Sequence, residues 1–178
     1  GNPIVACICH LRLTWEYEGI TFGVGQPEIV ATDPDYRNRG LIRVLFEMVH
    51  ARNAEEGRLV TAITGIPYFY RQFGYEYLLD LDARRTMYVT QIPKAKEGVP
   101  EPYTLREATV EDIPLLQQLY NRRKDISIVW SQISDAYWRY ELEGWKVQPD
   151  WGKTSSIQII VDKAGDALGY LFLSASRW

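Results

Sequence analysis

Residues 33–43 read DPDYRNRGLIR and bring Arg37, Arg39 and Arg43 to the point where an apolar helical pattern begins. The first turn of a helix presents backbone N–H groups without internal partners, at the positive end of the helix dipole. Cations placed there oppose the dipole, and an anionic ligand, a phosphate above all, removes the conflict. Gly40 lets such a ligand approach the backbone, because no Cβ stands in the way. The spacing also allows a solvated basic turn with its arginines paired to Asp33 and Asp35. Other chemistries have less to stand on. The sequence holds no Ser-His-Asp arrangement, Walker loop or metal-ligand cluster, so no metal is expected. The stretch GVGQPE lacks the third glycine of a dinucleotide loop.

The elements that must position this turn follow from the pattern around it. The 178 residues are long for one compact domain and short for two of full size, and 46% are hydrophobic, enough for a packed core. A net charge of −3 argues against a nucleic-acid partner. No apolar run reaches membrane-spanning length, and the opening residues lack a signal peptide's charged lead and cleavage site. Cys7 and Cys9 are expected to be packing residues in a reducing cytoplasm. IVACICHLRLTW reads as a long strand ending at a Glu18-Gly19 turn, and ITFGVG with PEIVATD reads as its return, bent at Gly23, Gly25 and Pro27. Leu41, Val44, Leu45, Met48 and Val49 form one helical face through about Arg52, with Gly57 as the stop. RLVTAIT is expected as a short buried strand, YFYRQF as a helical turn ended by Gly74, and YEYLLDLD and RRTMYVTQI as two further strands.

PKAKEGVPEP then reads as a linker. Beyond it, TLREAT is a short strand, and Thr109 caps a helix whose apolar face is Ile113, Leu116, Leu119 and Tyr120, with Asp112 completing a near capping box. A second helix starts at Ser134 or Asp135. SIQIIVDKAGDALGYLFLSAS is a hairpin turning at Ala164-Gly165-Asp166. Trp130, Trp138, Trp145 and Trp151 gather near the second helix, either as core or as the wall of a cation-binding pocket.

The stretch Arg37, Asn38, Arg39, Gly40, Leu41 resembles the coenzyme-A pyrophosphate loop of the GNAT (GCN5-related N-acetyltransferase) superfamily, with Ile42 where that pattern has a small residue. The preceding EIVATDPDYR resembles the family's central strand, and YRQFGYEY its later tyrosine motif. Together they are similar to the tandem acetyltransferases of the bacterial enhanced-intracellular-survival type. The resemblance implies an α/β (α+β) fold with a central mixed sheet flanked by helices. It implies acetyl-CoA as donor and a primary amine of a small molecule or peptide as acceptor. It places the pantetheine arm along the backbone of Val30, Ala31 and Thr32, and the pyrophosphate on Arg37 to Leu41 with Ile42. Tyr70 stands where the family has the acid that protonates the departing thiolate. Glu28 is the candidate base, with His10 and His50 as alternatives by chemistry.

Residues 1–92 resemble the later part of a GNAT domain, 93–103 a linker, and 104–178 the opening of a second GNAT-like domain. The chain therefore reads as a fragment, its element order permuted by truncation. The elements lacking from the first segment are those present in the second, so the two segments are expected to complete one sheet, within a chain or by strand exchange between copies. Two incomplete domains with open sheet edges are the alternative, and a non-catalytic acyl-CoA-binding or assembly module is the alternative function.

Overall fold

The computed structural model describes residues 2–79, 88–91, 93–94, 97–146 and 155–174. Strand β1 (Ala6–Tyr17) turns at Glu18 and Gly19, both at positive φ, into β2 (Ile20–Thr32). Two left-handed residues are what a tight two-residue hairpin turn requires. A further strand, β3 (Val60–Thr61), pairs parallel to β2 at Val24 and Gly25 only. Between β2 and β3 runs helix α1 (Leu41–Glu55), stopped by Gly57 at φ 64°. Its buried stripe is Phe46, Val49 and Asn53. Val44 and Met48, expected on that stripe, are exposed, because the buried face is turned by roughly 100° from the one the aliphatic residues suggest, toward Phe46 and Asn53.

The described residues within Gly1–Thr86, with Ile128–Gln132, form one compact unit; those within Met87–Ser127 and Ile133–Trp178 form the other. In the first unit the sheet order is β3-β2-β1-β5, where β5 is Val129–Ser131. The antiparallel pairs β2-β1 and β1-β5 beside the parallel pair β3-β2 make this sheet mixed, as expected. Arg58 ties the helix end down: its guanidinium donates to the carbonyl of Val24 at 3.2 Å and to Glu56 at 2.8 Å. Glu56 also takes Arg12 and Arg52, and these three cations hold its carboxyl well below the usual carboxylate range.

The second unit carries β4 (Tyr103–Glu107), α2 (Ile113–Asn121), α3 (Asp135–Glu143), β6 (Ser155–Asp162) and β7 (Ala167–Ser174). Its sheet order is β4-β6-β7, all antiparallel, and its core is Ala108, Ile113, Leu116, Trp138, Ile157 and Ile159. The single mutually completed sheet is thus not what forms. β4 lies in a different sheet from Ile29–Thr32, because β6 offers it a full antiparallel partner from Tyr103↔Asp162 to Glu107↔Gln158. Only β5, a strand the sequence reading passed over, leaves the second segment to join β1.

Three other expectations change. RLVTAIT forms a short strand, as expected, over Val60–Thr61, but it is not buried: Val60 is exposed and Leu59 beside it is 76% exposed. Tyr75–Leu79 forms no strand, and RRTMYVTQI lies mostly outside the described residues, with Val89–Gln91 in a 3-10 turn. Cys7 and Cys9 are exposed rather than packed, because α1 covers the opposite face of β1.

The capping box forms: Asp112 accepts from the Thr109 amide at 2.9 Å and takes Arg106 through two bonds of 2.8 and 2.7 Å. These bonds lower its pKa from 3.8 to about 2, the Arg106 bonds contributing most. A carboxyl depressed on folding contributes stability that is present above its unfolded pKa and lost as pH falls through the folded one. Thermal unfolding should therefore show a loss between about pH 4 and pH 2. Asp112→Ala should be about 1 kcal/mol less stable at pH 7 and should lose the Asp112 share of that acid dependence.

Candidate active site

The turn after β2 is closed by its own short-range hydrogen bonds. Asp33 accepts from the Asp35 amide at 2.9 Å, closing a 3-10 turn over Pro34–Tyr36. Asn38 and Gly40 both take left-handed φ, at 61° and 74°. Gly40 is the N-cap of α1 and supplies no side-chain cap, and the first acid-free turn follows it. The earliest helical bond runs from the Val44 amide to the Gly40 carbonyl, leaving the amides of Leu41, Ile42 and Arg43 without an acceptor among the described residues. A Cβ on Gly40 would meet nothing within 4 Å, so nothing crowds the turn at that residue.

The arginines do not neutralise Asp33 or Asp35. Arg39 donates to the Asp35 carbonyl at 2.9 Å and lies over the Tyr36 ring, and Arg43 lies over Phe73. Arg37 is exposed. Among the described residues none of the three forms an ion pair, so the paired-turn reading fails. Leu41 and Ile42 are half-buried.

β2 leads into this turn through a defect. Cys7 pairs with Ala31 and Cys9 with Glu28, so Ile8 faces both Ile29 and Val30 across a bulge. Ile29 takes φ 50°, a conformation that costs a β-branched residue on the order of 1–2 kcal/mol, and its side chain is 70% exposed. Nothing in its burial offsets that strain. Among the described residues the edge of β2 away from β1 is unpaired beyond Gly25, since β3 ends at Thr61. The Asp33 amide bonds the Val5 carbonyl, so by the alternation of an antiparallel strand Ala31 turns its main-chain groups toward β1 while Val30 and Thr32 turn theirs to the other edge, and among the described residues Thr32 Oγ1 is buried without a hydrogen-bond partner. The bulge beside these three residues was not expected from the sequence, because it has no local signature in an isoleucine.

Tyr70 lies in the 3-10 turn Phe69–Phe73, ended by Gly74 at φ 89°. Its ring packs among Phe46, Phe69, Phe73 and Tyr75. Burial raises its pKa first and the Glu28 carboxylate second, so the phenol keeps its proton at neutral pH. The structure brings Glu28 and Tyr70 into electrostatic reach of each other, as the two proposed roles require. Glu28 Oε1 accepts from Gln26 at 2.6 Å and from Thr64 at 3.1 Å.

The alternative bases are engaged elsewhere: His50 with the Tyr75 hydroxyl at 3.1 Å, and His10 with Asn53 at 2.7 Å. Burial pushes the Tyr75 phenol far up. Tyr77 accepts from the Tyr68 amide, bracing the loop. A small, shallow depression opens beside Tyr70, lined also by Ile63, Gly65, Ile66 and Tyr75. Of the four tryptophans, Trp138 is core, edge-on to Tyr120, Tyr137 and Tyr170, while Trp130 belongs to β5 in the other unit. Trp151 lies outside the described residues.

Gly65 has a specific duty here. A Cβ on it would stand 2.2 Å from the Tyr70 ring. Gly65→Ala should therefore displace the phenol and lower kcat at least about tenfold. Steady-state kinetics beside a thermal-unfolding control checks this.

An open strand edge running into a basic, uncapped helix start suits a ligand with an amide-bearing arm and a diphosphate. Residues 1–78 match the acetyltransferase (GNAT) domain family. Solved structures agree on the fold. A probable N-acyltransferase from Enterococcus faecalis superposes with a TM-score of 0.66 at 18% identity, over 95% of this chain and 41% of that one. The N-myristoyltransferase of Saccharomyces cerevisiae, solved with bound myristoyl-CoA, gives 0.63 at 12%, over 94% and 43%. A GCN5-related N-acetyltransferase from Kribbella flavida gives 0.56 at 15%, over 99% and 42%. The chain has the mixed α+β GNAT fold of these acyltransferases and spans about two fifths of their length. No curated protein matches it significantly. No helix among the described residues of the GNAT-fold chain is long and apolar enough to cross a membrane.

Proposed function

We propose that this chain carries the coenzyme site of an acyl-CoA-dependent N-acyltransferase, with acetyl-CoA as donor and a primary amine of a small molecule or peptide as acceptor. The observation that supports it most is the set of unsatisfied amides at Leu41, Ile42 and Arg43, joined to the open edge at Val30–Thr32. Arg37, Asn38, Arg39 and Gly40 would hold the diphosphate, and the strand edge the pantetheine amides. Glu28 would accept the proton that the attacking ammonium must lose. As the new N–C bond forms and the C–S bond breaks, Tyr70 would give its proton to the departing thiolate. In the tandem reading, residues 1–92 close one GNAT domain and 104–178 open the next.

Ile42, where the family pattern has a small residue, favours a second reading: an acyl-CoA-binding module without catalysis. Incubation with acetyl-CoA and a panel of primary amines, with release of free thiol as the readout, separates the two. Amine-dependent thiol release supports the transferase, and coenzyme binding without release supports the module. The absence of any coenzyme binding by a folded sample would defeat both.

A further inference from the structure

We propose that Asn53 is a positioning residue for the coenzyme cradle, a buried carboxamide that fixes the tilt of α1 against three strands. The proposal rests on the coenzyme reading above. Asn53 is 3% exposed and is the one buried polar side chain in the core of the described residues. Its Nδ2 donates to Thr61 Oγ1 in β3 at 2.8 Å. Its Oδ1 lies 2.7 Å from His10 Nε2 in β1. With the amide nitrogen committed to Thr61, Oδ1 is left to accept, so His10 Nε2 carries the proton. Between these two bonds the carboxamide rests on the backbone of β2. A Cβ on Gly25 would stand 1.9 Å from Oδ1 and 2.4 Å from Cγ.

The clamp interrupts an apolar stripe. Phe46 and Val49 precede Asn53 on the same helix face. A leucine would fill that seat without a polar group to desolvate, so stability alone does not call for an asparagine. What the carboxamide adds is direction: only one rotation and tilt of α1 satisfies both bonds while the amide lies flat on Gly25. That matters at the far end of the helix. Leu41 lies twelve residues upstream, about 18 Å along the axis. A tilt of about 10° would carry the cradle amides about 3 Å, beyond hydrogen-bond tolerance. The strand that receives the carboxamide, β2, also carries Val30–Thr32, so the clamp refers the diphosphate seat to the arm's strand. The Glu56 cluster anchors the helix end through longer arginine side chains, two of them, Arg12 and Arg52, exposed, and these allow more play.

The test uses the full-length protein and the variants Asn53→Leu, Thr61→Val and Thr61→Ser. Asn53→Leu and Thr61→Val should raise KM for acetyl-CoA about tenfold with kcat within about twofold, and Thr61→Ser should restore the wild-type KM. In ligand-free NMR spectra the amides of Gly40 to Arg43 should move in Thr61→Val and not in Thr61→Ser. Should Asn53→Leu fail to fold, the Thr61 pair decides. Unchanged KM and unmoved cradle amides, with only a lower unfolding midpoint, would overturn the proposal by reducing Asn53 to a stabilising contact. If the wild type binds no coenzyme, the coenzyme reading fails separately, and the ligand-free amide comparison still decides the clamp.

Discussion

Replacing Tyr70 by phenylalanine should lower kcat about a hundredfold and leave coenzyme A affinity within about twofold. The variant keeps the ring that packs on Phe46, Phe69 and Phe73 and removes only the hydroxyl. Local structure around the Phe69–Phe73 turn should therefore survive. The expected loss sits at the low end for general acids, because water can protonate a thiolate in part. A phenol raised by burial and by Glu28 remains the acid across neutral pH, so the wild-type rate should not fall near pH 8 through Tyr70. Steady-state kinetics with calorimetric coenzyme titration reads both quantities. Equal losses in turnover and affinity would make Tyr70 a packing residue.

Gly40→Asn should have the larger effect on binding, weakening coenzyme A at least about a hundredfold, while Gly40→Val should add a folding penalty of about 1 kcal/mol or more. The comparison separates two causes. Asparagine tolerates the left-handed φ of 74° that Gly40 adopts, as Asn38 does two residues earlier. Its side chain would still add bulk to a turn that nothing crowds at that residue. Valine brings the same obstruction together with backbone strain. If Gly40→Asn bound coenzyme as the wild type does, the space in front of that turn would have no role in holding a ligand.

These features differ in how far the chain alone discloses them. The helix start at Leu41, its glycine and its missing caps are local, so the arginine-rich turn was readable. So were the Glu18-Gly19 hairpin, the Thr109–Asp112 box and the turn at Gly165, each fixed by neighbours a few residues away. The bulge at Ile29 is set by how β2 registers on β1, and an isoleucine is the last residue a local rule would place there. β5 is three residues long and owes its existence to the edge of β1. Thr104–Thr109 favoured a strand correctly, yet its sheet was decided by β6, fifty residues on. Asn53 looked like an ordinary helix residue, because only the approach of Gly25, His10 and Thr61 gives its amide a purpose. Exposed Cys7 and Cys9 show the same limit: alternation tells which residues share a face, and not which face is covered.

An amide-detected NMR titration of the full chain, run with coenzyme A and with pantetheine, bears most directly on the diphosphate seat. Two charge-assisted amide bonds to the diphosphate should make coenzyme A bind at least about a hundredfold tighter than pantetheine, which lacks it. The resonances of Gly40, Leu41, Ile42 and Arg43 should move only with coenzyme A. Equal affinities for the two ligands, or a turn whose amides stay still as coenzyme A binds, would contradict the account.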